Sequence, residues 1–229
     1  MAKKRCKKHK KKINKRRILI FLAIVLFIVF FFYKLFTVNI SNIYIEGNKY
    51  FSDQKIIDIA GLNNYPNSLE NLSYLIENKL EKNKYILSSK VNKNIFLNKV
   101  YISIKENYPL FYYKIEDKTV LYNGDKVDDK FISTVVINSI PNTIYDKFLK
   151  SMEELNLDIL TRISEIEYKP NDVDQERFFL IMNDGNYVYL TLYKFNNMNK
   201  YLNIIKTFEN KKGILYLDSG EYFDVFDEN

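Results

Sequence analysis

The sequence predicts an α+β protein carried on a single N-terminal transmembrane helix, with a mainly antiparallel sheet in the part that follows. Three observations predict it. An unbroken apolar run lies near the start, the basic excess precedes that run, and the rest of the chain alternates strand-like and helix-like segments bounded by Gly, Asn and Pro.

The charge is unevenly placed. Of a formal net charge of +7, eleven basic side chains fall in residues 1–17: Lys3, Lys4, Arg5, Lys7, Lys8, Lys10, Lys11, Lys12, Lys15, Arg16 and Arg17. Setting these aside leaves the remainder at about −4, so the basic pI belongs to the tail. A lysine block this dense buries no apolar surface and is expected to be disordered. Any polycation attracts phosphate, but the following residues point to a membrane instead, and no nucleic-acid partner is expected.

From Ile18 to Phe36 run nineteen residues, all Ile, Leu, Val or Phe except Ala23, Tyr33 and Lys34. As a helix they span about 28 Å, close to the roughly 30 Å hydrocarbon core. The sixteen strongly apolar residues favour insertion by about 5–10 kcal/mol. Lys34 sits near one end, where its stem reaches the headgroups. With the basic residues on the N-terminal side, the tail is expected in the cytoplasm and the C-terminus outside. The run exceeds a signal peptide's apolar core and no A-x-A site follows, so an uncleaved anchor is expected. The basic tail is expected to meet anionic inner-leaflet lipid, at about 1 kcal/mol per Lys or Arg near the surface.

Roughly 193 residues follow the run, enough for one large domain or two small ones. They hold no His and no Cys, since His9 and Cys6 lie in the tail. That removes Ser-His-Asp and Cys-His catalysis, His or Cys zinc sites, and disulfides. Paired carboxylates remain, but Glu153-Glu154, Asp172 and Asp174 read as solvated faces or loops. The six glycines form no phosphate loop. No enzyme activity, metal or cofactor is expected.

The external chain opens on Val38, Ile40, Ile43 and Ile45, a strand closed by Gly47-Asn48. Ser52 is an N-cap before Ile56, Ile57 and Ala60, and Gly61 supplies the stop. Asn67 and Glu70 have capping-box spacing ahead of Leu69, Leu72, Leu75, Ile76 and Leu80. Two β-rich runs follow, Tyr85 to Lys93 and Ile95 to Lys105, the second burying Phe96, Val100, Ile102 and Ile104. The order is strand, helix, helix, strand, strand.

That order resembles a POTRA domain of the FtsQ type. The resemblance rests on Ile43-Tyr44-Ile45-Glu46-Gly47-Asn48, Ser52, Ile56, Gly61, Asn83-Lys84-Tyr85-Ile86, Val91 and Ile102-Ser103-Ile104-Lys105-Glu106-Asn107-Tyr108-Pro109. The family usually carries Arg where Asn107 stands, and a Pro shortly before the last strand that is absent here. Further along, Leu121-Tyr122-Asn123-Gly124 reads as a hairpin, and Pro141 precedes a helix with Ile144, Phe148, Met152 and Leu155. Ile163-Ser164-Glu165-Ile166 reads as a strand. Leu180 to Val188 reads as a hairpin on a two-residue Asp-Gly or Gly-Asn turn. Phe195 to Phe208 is predicted helical with Met198, Leu202 and Ile205 on one side, and Gly213 to Phe226 is β-rich. This set is similar to the β domain of the FtsQ/DivIB division proteins, in the DivIB form of Gram-positive bacteria.

The domains expected are residues 1–17 as a cytoplasmic tail, 18–36 as the transmembrane helix, 38–110 as the POTRA domain, 111–210 as the β domain, and 211–229 as a C-terminal strand and acidic tail. The resemblance implies a non-catalytic divisome scaffold at the septum. Its implied partners are FtsL-like and FtsB/DivIC-like bitopic proteins and the septal peptidoglycan synthase complex. It also implies that a late strand receives the FtsB-type partner, here through Tyr216, Leu217, Ser219, Tyr222, Phe223 and Val225. The alternative is a POTRA-containing chaperone-like module for polypeptide export or assembly. An anchored cell-wall hydrolase is disfavoured because its candidate carboxylates read as solvated faces or loops, and a sensor would need a larger cytoplasmic part.

Overall fold

In the computed structural model, residues 15–94, 98–209 and 211–226 are described. Most of the basic tail, the predicted strand start at Ile95 and Phe96, and the last three residues of the acidic tail lie outside them. The apolar run forms one helix, α1 (Lys15–Thr37), with no residue of its apolar window buried by protein. The chain beyond it divides between two compact units. One takes residues up to Glu46, Asp53–Lys82 and Ser89–Ile104, and the other takes Gly47–Ser52, Asn83–Ser88 and everything from Lys105.

The first unit carries a three-stranded sheet of β1 (Asn42–Glu46), β2 (Ile86–Asn94) and β3 (Lys99–Glu106), in the order β1-β3-β2, with β1 parallel to β3. Two helices cover it, α2 (Asp53–Ala60) and α3 (Ser73–Glu81). Ile56 and Ala60 from α2, Ile76 and Leu80 from α3, and Val100 and Ile102 from β3 are fully buried or nearly so. The i, i+4 spacing on each helix and the alternation on the strand are the periods that put one face inward. Gly61 stops α2 at a φ of +69°, a conformation open to glycine and costly to residues with a Cβ.

Two details differ from expectation. The first strand begins at Asn42, not Val38; Asn39 makes only a bridge to Asn67. The Asn67 cap is real but closes a turn, its Oδ1 accepting from the Leu69 and Glu70 N–H groups, and α3 starts later. Leu72 and Leu75 are therefore exposed. The free side of β2 is also closed off. The Ser89 and Val91 N–H groups donate to the carboxylates of Glu81 (3.2 Å) and Glu77 (2.7 Å) on α3.

The second unit is built on a nine-stranded, mostly antiparallel sheet. Its strands are β4 (Pro109–Tyr113), β5 (Lys118–Leu121), β6 (Lys126–Val127), β7 (Thr134–Val136), β8 (Ile163–Tyr168), β9 (Arg177–Met182), β10 (Tyr187–Thr191), β11 (Gly213–Tyr216) and β12 (Tyr222–Val225). They lie in the order β12-β11-β10-β9-β8-β7-β4-β5-β6. Helix α4 (Asn142–Glu153), the single turn α5 (Leu157–Leu160), a 3-10 helix (Leu192–Lys200) and α6 (Tyr201–Thr207) pack on one face. Phe148 of α4, Phe178 of β9 and Phe195 of the 3-10 helix meet with ring centroids 5.1–5.7 Å apart, and Phe111 of β4 joins Phe148 at 5.4 Å. Offset and edge-on rings at these distances add to an already large burial.

The two predicted hairpins, β5–β6 and β9–β10, both turn on glycine. Gly185 (φ +87°) donates to the Met182 carbonyl, while the Met182 N–H donates to the Asn186 carbonyl. Gly124 (φ +85°) repeats that pattern with Leu121 and Asp125. These are three-residue loops ending in a left-handed glycine, not the two-residue Asp-Gly or Gly-Asn turn predicted between Leu180 and Val188. The segment predicted as one helix from Phe195 is instead a 3-10 helix followed by α6. Leu192, Phe195, Met198 and Tyr201 recur every three residues and are buried, as three residues per turn require. Leu202, expected on the core side, rotates out and is exposed.

Glu106 and Asn107 anchor local segments of this unit. Glu106 accepts from three backbone N–H groups, those of Lys49 (2.7 Å), Tyr50 (2.8 Å) and Phe51 (2.9 Å). Asn107, which is buried, donates from its backbone to the Tyr85 carbonyl and from Nδ2 to that of Lys84. Its Oδ1 accepts from the Asn123 N–H. The amide side chain thus joins two segments, at Lys84 and Asn123, without a buried charge.

Candidate functional site

The last two strands form the candidate site. β11 runs parallel to β10 and pairs antiparallel with β12 in the register Gly213↔Val225, Ile214↔Asp224, Leu215↔Phe223 and Tyr216↔Tyr222. β12 is the terminal strand of the sheet. Just past it, the Phe226 N–H donates to the Lys212 carbonyl at 2.9 Å. Bonded pairs alternate along an antiparallel ladder, so Asp224 and Tyr222 also bond inward to β11. The N–H and C=O groups of Phe223 and Val225 face outward. Among the described residues nothing pairs with that side.

A glycine allows this geometry. A Cβ on Gly213 would fall 2.1 Å from the Asp224 carbonyl oxygen and 2.9 Å from the Phe223 ring. The Gly213 N–H donates to the buried Oδ1 of Asn186 (2.9 Å), whose Nδ2 donates to the Tyr201 hydroxyl (2.9 Å). That hydroxyl donates to Asp184 (2.7 Å). Burial, with Asp184 beside it, pushes the Tyr201 phenol well above its ordinary pKa. The chain of bonds ties the β9–β10 turn and α6 to the start of β11, and each buried polar atom in it has a partner.

The opposite end is fixed by an ion pair. Arg177 Nε donates to Asp218 at 2.7 Å, with both side chains mostly buried. Burial pushes the Asp218 carboxyl up, but the Arg177 and Ser219 hydrogen bonds outweigh it and hold the group below the usual carboxylate range. The Arg177 guanidinium also lies 3.8 Å from the Tyr189 ring centroid. From Tyr189 a row of cross-strand neighbours runs to the edge. Phe179 and Tyr189 are 4.7 Å apart, Tyr189 and Tyr216 5.4 Å, and Tyr216 and Tyr222 4.5 Å at 11°. The outer sheet face is thus paved with aromatic side chains up to β12.

The residues expected to contact a partner are distributed as follows. Tyr222 (51% exposed), Val225 (39%) and Ser219 are at the surface, and Tyr216 is half-buried in the aromatic row. Phe223 is half-buried, its ring 4.8 Å from that of Phe208. Leu217 departs from expectation. It is 1% exposed and belongs to the core, following the Gly213, Leu215, Leu217 alternation that faces the helices. Sequence reasoning missed Gly213, which packs directly against β12, and Asn186, Tyr201, Arg177 and Asp218, which hold the neighbouring strand in place.

The second unit also has a cavity of about 290 Å³ lined by Leu110, Thr134, Leu160 and Asn183 among others. Among the described residues no cluster of three or more His, Cys, Asp or Glu side chains could hold a metal.

A membrane-length apolar helix followed by a β-α-α-β-β unit and a sheet with an open last strand places the chain in the class of FtsQ-type POTRA proteins. Residues 38–107 match the family model described as POTRA domain, FtsQ-type. The chain is 28% identical over 231 residues to the cell division protein DivIB of Bacillus subtilis (strain 168), covering 96% of this chain and 87% of that one. It is 30% identical over 228 residues to DivIB of Bacillus anthracis, covering 94% and 85% respectively. A solved structure of the major extracytoplasmic domain of DivIB from Geobacillus stearothermophilus is 22% identical. It covers 46% of this chain and 97% of its own, with a TM-score of 0.38. The chain belongs to the DivIB family of bacterial cell division proteins. It is a division-related protein with a candidate membrane helix, in a family that is non-catalytic.

Proposed function

We propose that the chain is a scaffold of the bacterial divisome, working at the septum by binding rather than by chemistry. Its basic tail lies in the cytoplasm, α1 crosses the membrane, and both folded units lie outside. Residues 38–110 act as the POTRA domain, residues 111–210 as the body of the β domain, and 211–229 as the strand pair and acidic tail that present the site. Through that strand pair the chain recruits an FtsB/DivIC-type bitopic partner, with FtsL-type protein and the septal peptidoglycan synthesis machinery joining the same assembly.

One observation carries this reading. The terminal strand β12 leaves the main-chain groups of Phe223 and Val225 turned outward, and an extended segment adding there gains hydrogen bonds and pockets for alternate side chains. The contrast with β2, whose outward N–H groups are taken by Glu77 and Glu81, supports it. Tyr216, Ser219, Tyr222, Phe223 and Val225 are the contact residues; Leu217 holds the strand from beneath. Pull-down of the partner's external domain by full-length Tyr222→Ala and Ser219→Glu variants with unchanged thermal unfolding tests this. Binding is expected to fall; folded variants that all bind like the parent would sink the proposal.

A further inference from the structure

The chemistry of the incoming segment can be narrowed from the charges at the edge. From Gly213 onward the acids are Asp218, Glu221, Asp224, Asp227 and Glu228, and no Lys, Arg or His occurs. Asp218 is neutralised by Arg177. Asp224 is not neutralised from within the sheet. Its cross-strand neighbour is Ile214, it is exposed on the aromatic outer face, and among the described residues neither it nor Glu221 has an ion-pair partner. Lys211 and Lys212 precede β11 and fall opposite the end of β12, on the side away from the open edge.

A strand added to β12 would bond to Phe223 and Val225. Opposite Tyr222 and Asp224 it would form non-bonded pairs, the ones whose side chains approach most closely, with Cβ atoms about 4.5–5.5 Å apart. The residue facing Asp224 therefore meets an unpaired carboxylate, and the one facing Tyr222 meets the end of a tyrosine stack. On the other face, Phe223 and Val225 call for apolar partners. A second copy of this chain does not satisfy these demands, because pairing β12 with itself sets acid against acid on one face.

Resting on the edge reading above, we infer that the occupant of β12 is a basic extended segment. It alternates apolar residues on the core side with Lys or Arg on the outer side, and an aromatic or β-branched residue lies beside the basic one. The acids select the partner's charge and discourage self-pairing, while the main chain supplies the attachment.

The test uses the full chain in phosphatidylcholine nanodiscs, which lack anionic lipid. Fluorescent peptides of valine alternating with lysine, glutamine or glutamate are titrated against it. The lysine peptide is expected to bind tightest and the glutamate peptide weakest, with the order flattened by high salt. Asp224→Asn and Glu221→Gln should each weaken the lysine peptide by up to about five-fold and leave the glutamine peptide unchanged. Asp224→Lys should reverse the order. Val225→Pro removes an outward N–H without breaking a bond to β11, and should abolish binding of all three. Equal binding of the three peptides, all lost in Val225→Pro, would overturn the charge preference and leave the edge reading standing. Binding indifferent to Val225→Pro, no binding at all, or concentration-dependent self-association lost in Val225→Pro would overturn both.

Discussion

Gly213 on β11 passes so close to Asp224 on β12 that a Cβ on the glycine would lie 2.1 Å from the Asp224 carbonyl oxygen. That contact is with backbone, which has no rotamer to yield. Gly213→Ala is therefore expected to push β12 off the sheet, at a cost of about 1–3 kcal/mol, typical of forced overpacking. Urea unfolding measures the cost. Amide exchange should show Asp224 and Phe226 losing protection while Val188 and Leu190 keep theirs.

The buried bonds beneath Gly213 should be equally sensitive. Asn186→Ala leaves the Gly213 N–H and the Tyr201 hydroxyl without a shared partner. An expected loss of about 1–3 kcal/mol for an orphaned buried group follows. Tyr201→Phe should cost less, since the Asn186 side chain keeps its bond to Gly213. Equal losses in the two variants would show that the network does not act through β11.

Much of this architecture is legible in the sequence, and the exceptions have physical causes. The long apolar helix, the β-α-α-β-β order and the glycine turns follow from local pattern, because hydropathy, capping and left-handed turns are decided within a few residues. Leu217 was readable too, since strict alternation from Gly213 through Leu215 sends it inward. The 3-10 helix was harder. Phe195, Met198 and Tyr201 at three-residue spacing mark it only if the period is taken as three rather than 3.6, and that choice decides whether Leu202 is core or surface. The neighbour order of the sheet, which makes β12 an edge, rests on pairings between distant strands. So does the Arg177–Asp218 ion pair, whose members are separated by four intervening elements. No local pattern encodes either.

Stability should fall in strong alkali. Burial raises the phenols of Tyr108 and Tyr145 from 10.0 to about 12, and Tyr201 higher still. A pKa raised on folding means that the protonated form is favoured in the native state. The stability this carries is fully present below about pH 10 and is lost as pH rises through the native values. Melting temperature tracked alongside tyrosinate absorbance should stay flat to about pH 10 and then drop; early ionisation of every tyrosine without unfolding would contradict it.

Glu106 should be intolerant of even an isosteric change. Its carboxylate accepts three backbone N–H groups, and in Glu106→Gln one acceptor becomes a donor facing the Lys49–Phe51 turn. Charged hydrogen bonds of this kind contribute about 1.5–3 kcal/mol, so a loss of that order is expected by chemical denaturation. Glu106→Asp, which keeps the charge but shortens the reach, should fall between Gln and the parent.

The central claim is that β12 receives the division partner by strand addition. Its most direct measurement is amide hydrogen exchange on the full chain, with and without the external domain of the proposed DivIC-type partner. In the free protein the outward amides of Phe223 and Val225 are expected to exchange rapidly, while Tyr222, Asp224 and Phe226 are slowed by β11. Partner binding should protect Phe223 and Val225 and leave β2 unchanged. Protection confined to other strands, with Phe223 and Val225 exchanging as fast as before, would contradict the account.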